Sequence, residues 1–131
     1  MTEHSVQSAC LDWLASRNIK AWRRNIGVAF YQNADGTPRP VRYNKKGMSD
    51  ITGVCSVYKE FVFEDDEGEY VRALPVPGIR LEIEVKRPGE VPTKEQTAFI
   101  DMINREGSVG IWADSIDMLE AKLKEKGVIY G

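Results

Sequence analysis

Histidine is nearly missing. His4 is the only one in 131 residues, which excludes a histidine-rich zinc site. Cysteine is scarce as well. Cys10 and Cys55 sit in apolar patterns with no Cys-x-x-Cys and no neighbouring His. They read as buried thiols of a reducing cytoplasm rather than a disulfide or metal framework. No apolar run reaches the length of a membrane span and no signal-peptide pattern opens the chain, so no membrane partner is expected. Repeats and low-complexity segments are lacking too. What remains is 42 % hydrophobic, too much for a disordered chain, and a single domain over residues 1–131 is expected.

A net charge of −2 does not mark a nucleic-acid binder, but its distribution is uneven. Residues 1–49 hold 8 Lys/Arg against 3 Asp/Glu, net +5, and residues 50–131 hold 10 against 17, net −7. Arg17, Lys20, Arg23, Arg24, Arg39, Arg42, Lys45 and Lys46 crowd the first part. Such a patch neutralises phosphates or merely keeps a surface soluble.

The chain is organised around Ile79-Arg-Leu-Glu-Ile-Glu-Val-Lys86. Apolar and charged residues alternate strictly, which predicts a strand, and Pro88 and Gly89 end it. Glu84 and Lys86 then point the same way, about 7 Å apart. A carboxylate and an ammonium side by side can bind a hard cation and activate a water. A strand whose charged face is simply solvated and self-pairing has the same pattern. Upstream, Asp50 stands at the mouth of a strand over 51–57.

The remaining elements follow from caps and periodicity. Thr2 caps a helix to about Arg17, with Glu3 in its first turn. Short strands are expected over 21–26 and 28–31, and a turn over 33–40. The segments 57–64 and 69–74 alternate on either side of Asp65-Asp-Glu-Gly68 and predict a hairpin, which 75–78 link to the central strand. A helix runs from Thr93 to about Glu106, with Phe99, Ile100 and Ile103 inward and Gly107 behind it. Val109–Ala113 is a short strand, and Ser115 caps a last helix to Lys126. This order predicts an α/β sheet with helices on its faces.

An acid opening one strand, Glu84-x-Lys86 on the next and a helical Gln96 resemble the PD-(D/E)xK nuclease superfamily. Lys45-Lys-Gly-x-x-Asp50 together with Glu84-Val-Lys-Arg-Pro-Gly89 is similar to its VRR-Nuc family, over nearly the whole chain from Glu3 to the last helix. Ser49 departs from the superfamily name, which has Pro before the acid; that position supplies no ligand. The resemblance implies a restriction-endonuclease-like core: a mixed central sheet flanked by helices, with 57–78 as an inserted β-hairpin. It implies a stand-alone, cytoplasmic, metal-dependent DNA endonuclease of bacterial or phage type, acting on double-stranded or branched DNA, with the four-way DNA of Holliday-junction resolvases as one such structure. It also implies a homodimer, for which the apolar face of the hairpin offers a surface.

Mg²⁺ or Mn²⁺ would be held by Asp50, Glu84 and, as the resemblance implies, the backbone carbonyl of Val85. Lys86 would act as base or as electrostatic stabiliser. Gln96 would orient Lys86 or the water, although Thr93-x-x-Gln96 also fits a capping box. Glu3, four before Gln7, matches an acid of the family's first helix and equally an ordinary first-turn acid. Lys45, Lys46, Arg24, Arg42, Tyr43 and Arg87 are candidate nucleic-acid contacts, with Trp22 a further contact for splayed bases. Two other classes stay open: a non-catalytic nucleic-acid-binding module on the same fold, and a small α/β interaction protein without nucleic acid.

Overall fold

A computed structural model describes residues 1–24, 28–42 and 48–129, the side chains of 28–31 and 40–42 excepted. Helix α1 spans Glu3–Ser16. The Thr2 hydroxyl accepts from the Ser5 amide and the Ser5 hydroxyl accepts from the Thr2 amide, both at 3.0 Å, so the first turn is closed reciprocally. Val6, Cys10 and Leu14, four apart, form its buried stripe. Strand β1 is Lys20–Arg23; residues 25 and 26 of the strand expected over 21–26 lie outside the described residues.

Strands β2 (Val28–Gln32) and β3 (Pro38–Arg42) pair with each other as a separate antiparallel ribbon. The turn expected over 33–40 is therefore shorter. Asp35 closes it by accepting from the Thr37 amide and hydroxyl at 3.0 and 2.6 Å, and Pro38 already belongs to β3.

Strands β4 (Ile51–Asp65) and β5 (Gly68–Val85) form one long antiparallel ribbon turning at Asp65–Gly68. The expected hairpin is present, as the far half of this ribbon. The segment 75–78, expected as a link, is strand: Pro75 pairs with Tyr58 and Val76 with Val57, and the register shifts between Cys55 and Val57. Proline is tolerated there because β5 pairs on its other side only from Leu81 onward, so the missing N–H faces an open edge.

Helix α2 (Lys94–Arg105), strand β6 (Val109–Ala113) and helix α3 (Ile116–Glu125) follow, capped by Thr93 and Ser115 as the sequence suggests. Gly107 and Gly127, just past the two helices, take φ of +86° and +79°.

The main sheet runs β1-β4-β5-β6, with β5 and β6 parallel and the other pairs antiparallel. On one face, Ile51, Leu81, Ile83, Val85, Val109 and Ile111 pack with α1 and α3 into the core, joined by Leu119 and Leu123. Helix α2 lies on the other face. A side chain at Gly110 would come within 3.0 Å of the Ile100 carbonyl, so glycine lets the helix sit directly on β6. Asn104 then donates to and accepts from the Gly110 backbone, both at 2.9 Å, and the Lys122 ammonium donates to the Trp112 carbonyl at 2.7 Å. Side chains thus occupy part of the edge that β6 would offer to another strand. Among the described residues, no helix is long and apolar enough to cross a membrane.

Candidate metal centre

Of the charged residues of the central strand, Arg80 is exposed but the next three on its face are not solvated. Glu82 is 0 %, Glu84 1 % and Lys86 8 % exposed. Alternation at period two predicts which residues share a face, and that holds; it does not say whether the face is wet. Here β5 lies between β4 and β6 under α2, so both of its faces are dry in this stretch. The reading of a solvated charged strand is therefore corrected for Glu82, Glu84 and Lys86, whereas the self-pairing holds: Arg80 lies 3.4 Å from Glu82 and Lys86 3.7 Å from Glu84.

Asp50 immediately precedes β4, and its Oδ2 accepts from the Val85 amide at 2.9 Å across to β5. Glu3 comes from the first turn of α1. One carboxylate oxygen each from Glu3, Asp50 and Glu84 lies within 4.8 Å of the other two. The first-turn acid thus reaches the site. Val85 contributes its amide to Asp50; in a strand the carbonyl of a residue leaves on the same edge as its N–H, so the Val85 carbonyl also faces the Asp50 side.

Glu84 is the centre of this cluster. Its Oε1 accepts from the Gln96 side-chain amide at 2.8 Å and lies 3.7 Å from the Lys86 ammonium. Its Oε2 is buried and has no hydrogen-bond partner among the described residues. Burial pushes the Glu84 carboxyl up to about 9, and the neighbouring Asp50 carboxylate pushes the same way. Lys86 opposes the rise, and Glu3 adds to it. Burial, then Asp50, also raises Glu3 above its ordinary value. Three acids this close repel one another when all are ionised, and beside the Lys86 ammonium a proton or a further cation relieves that repulsion. The donor set fits a divalent ion: Oε2 of Glu84 is unpartnered among the described residues, and Glu3 and Asp50 each bring a carboxylate oxygen to the same cluster.

Gln96 does both things that its position allowed. Its Oε1 accepts from the Thr93 amide at 2.8 Å, completing the capping box, while its amide nitrogen holds Glu84. It orients the acid rather than Lys86. Gln7, in contrast, accepts from Arg23 at 3.1 Å.

Glu82 was missed. It is fully buried and every oxygen is used. Oε1 accepts from the Arg24 guanidinium and from the Ser49 hydroxyl at 2.9 Å, and Oε2 accepts from the Thr52 hydroxyl and lies 3.4 Å from Arg80. Arg24 also donates through Nε to the Ser49 carbonyl at 3.1 Å and through its backbone amide to the Asp50 carbonyl at 2.8 Å. The group as a whole clamps the Ser49–Asp50 peptide on which the Asp50 carboxylate is mounted. The alternation shows that Glu82 shares a face with Glu84 and Lys86, but its burial comes from helix α2 and the Arg24 side chain, which no local pattern announces.

Arg24 is accordingly not available as a nucleic-acid contact, because its guanidinium is spent inside the protein. Arg87 is exposed, but its guanidinium pairs with Glu90 just beyond β5. Arg42 closes β3, with its side chain among those not described. Tyr43, Lys45 and Lys46 lie outside the described residues. Ser49, the departure from the superfamily pattern, has its hydroxyl on Glu82, where a proline would provide none. No family model, curated protein or solved structure was found to match the chain.

Proposed function

We propose that the chain is a divalent-metal-dependent DNA endonuclease of the VRR-Nuc type, hydrolysing phosphodiester bonds at Glu3, Asp50, Glu84 and Lys86. The observation that carries this reading is the buried, unpartnered Oε2 of Glu84 beside two further carboxylates and a nearly buried ammonium. An interaction domain has no need to bury such a set, since the burial destabilises the apoprotein.

In this reading Asp50 and Glu84, with the Val85 carbonyl, hold Mg²⁺ or Mn²⁺, and Glu3 lies within reach of the same ion. The ion supplies charge neutralisation at the phosphate and an acidified water. Gln96 occupies Oε1 of Glu84 and so leaves Oε2 for the ion. The Arg24–Glu82 pair keeps Asp50 at its station. Lys86 lies on the same strand face, where as a neutral amine it would take a proton from the attacking water, or as an ammonium would offset charge on the phosphate oxygens.

The basic residues of 1–49 other than Arg24 supply phosphate affinity, and a second copy of the chain supplies two-fold symmetry. The ribbon beyond Cys55 exposes Phe61, Val62, Tyr70 and Val71, and its acidic tip, Glu64 to Glu69, repels DNA but complements the basic half of a partner copy. Labelled linear, nicked, flapped and four-way DNA, each with Mg²⁺, Mn²⁺ or EDTA, tests the activity. Cleavage of one or more of these with metal and none with EDTA is expected. Retention of DNA without cleavage in either metal would leave the binding-module reading in its place.

A further inference from the structure

The face of the sheet that carries Glu82, Glu84 and Lys86 is only partly covered. Helix α2 packs on β5 and β6, and toward β1 the face opens to solvent. There Trp22 is 53 % exposed. The register aligns Trp22 with Thr52 and Thr52 with Glu82 across the strands, so Trp22 stands on the face opposite the core. The next row is Lys20, Val54 and Arg80, with Val54 exposed and the Arg80 side chain 47 % exposed. The only acid at these positions is Glu82, which is buried and neutralised from two sides. In the opposite direction the rows lead to Asp50 and Glu84. Strand geometry puts the Trp22 backbone roughly 8 Å from that of Asp50 and roughly 12 Å from that of Glu84.

An indole left in water, with Lys20 on its own strand and the half-exposed Arg80 in the next row, is a feature of surfaces that take up unpaired nucleotides, since every base offers a stacking face and every linkage a phosphate. We propose that Trp22 stacks an unpaired base, with Lys20 and Arg80 taking adjoining phosphates, so that the strand delivered to the carboxylate cluster is single-stranded where it crosses β1. This rests on the nuclease reading and narrows its substrate to DNA with an unpaired end, flap or branch. The separation of Trp22 from Asp50 and Glu84 suits neighbouring nucleotides of one strand, and stacking makes no demand on sequence. A continuous duplex keeps its bases inside and gives Trp22 nothing to stack on.

The test is binding of fluorescently labelled oligothymidine, and of a blunt duplex of equal length, in EDTA. Trp22→Ala is expected to weaken oligothymidine binding roughly tenfold, the scale of one lost stack, and to leave duplex binding unchanged. Trp22→Phe, which keeps a stacking ring, should stay within about threefold of wild type. Lys20→Ala with Arg80→Ala should flatten the salt dependence. The second readout is quenching of tryptophan fluorescence by unlabelled oligothymidine. It should be present in wild type and lost in Trp22→Phe, although Trp13 and Trp112 remain. Equal oligothymidine affinity in wild type and Trp22→Ala, or quenching that survives in Trp22→Phe, overturns the platform. If those proteins still cleave DNA with Mn²⁺, only the platform falls. If wild type neither binds oligothymidine nor cleaves any substrate, the nuclease reading falls with it.

Discussion

Glu82→Leu is the substitution whose cost the structure lets one work out most fully. Glu82 is wholly buried, and its chief partner Arg24 has a side chain only 10 % exposed. Removing the carboxylate strands the guanidinium in the interior with, among the described residues, the Ser49 carbonyl as its remaining acceptor. Breaking a buried pair in this way costs about 3–5 kcal/mol, against a total stability of about 5–15 kcal/mol for a domain. Arg80 adds little, because it is half in water. Arg24→Met should cost less, since Ser49, Thr52 and Arg80 still surround Glu82. The double variant Arg24→Met, Glu82→Leu removes both charges and should recover most of the loss. Urea denaturation at pH 7 measures all four proteins, with an unchanged slope showing that the folded and unfolded states are comparable. A Glu82→Leu protein within about 1 kcal/mol of wild type, or a double variant as unstable as the single one, would refute the clamp.

Two further outcomes follow from the site. The folded-state pKa of Glu84 is raised to about 9 from its ordinary 4.5, so the metal-free fold takes up a proton that the unfolded chain does not hold. That contribution is complete below the ordinary value and is lost as pH rises through the folded one. Thermal melts in EDTA should therefore fall from pH 5 to pH 9, and Mn²⁺ should raise the melting temperature more at pH 8 than at pH 5; a flat profile with and without Mn²⁺ contradicts this. Gln96→Leu removes the cap of α2 and the bond to Glu84 together, whereas Gln96→Glu keeps the cap acceptor and sets a second acid against Glu84. Calorimetry with Mn²⁺ should show altered affinity in both variants, with helix stability reduced by about 1 kcal/mol only in Gln96→Leu; unaltered metal affinity in both would leave Gln96 a cap alone.

Local chemistry was legible in the sequence. Thr2, Thr93 and Ser115 announced three helices, because a side-chain oxygen before an apolar periodicity has few other uses. Alternation from Ile79 to Lys86 gave the strand and the shared face of Glu84 and Lys86. Long-range facts were not legible. A charged strand face reads as solvated until the helix that covers it is known, so the burial of Glu82, and Arg24's part in it, stayed hidden. Pro75 to Gly78 read as a link because proline usually breaks strands, and only the open edge of β5 explains why it does not do so here. Gln96 offered two readings, and both hold, since an amide has an acceptor for the cap and a donor for Glu84.

Single-turnover cleavage by Lys86 variants in Mn²⁺ tests the central claim most directly. The ammonium lies 3.7 Å from Glu84 and is nearly buried. Lys86→Ala should keep Mn²⁺ binding by calorimetry yet cleave the best substrate roughly a hundredfold more slowly or worse. Lys86→Arg should not rescue it, because guanidinium keeps its proton and has a different shape. Glu84→Ala should lose both metal and cleavage, with circular dichroism showing all three variants folded. Cleavage at the wild-type rate by Lys86→Ala and Glu84→Ala would contradict the account.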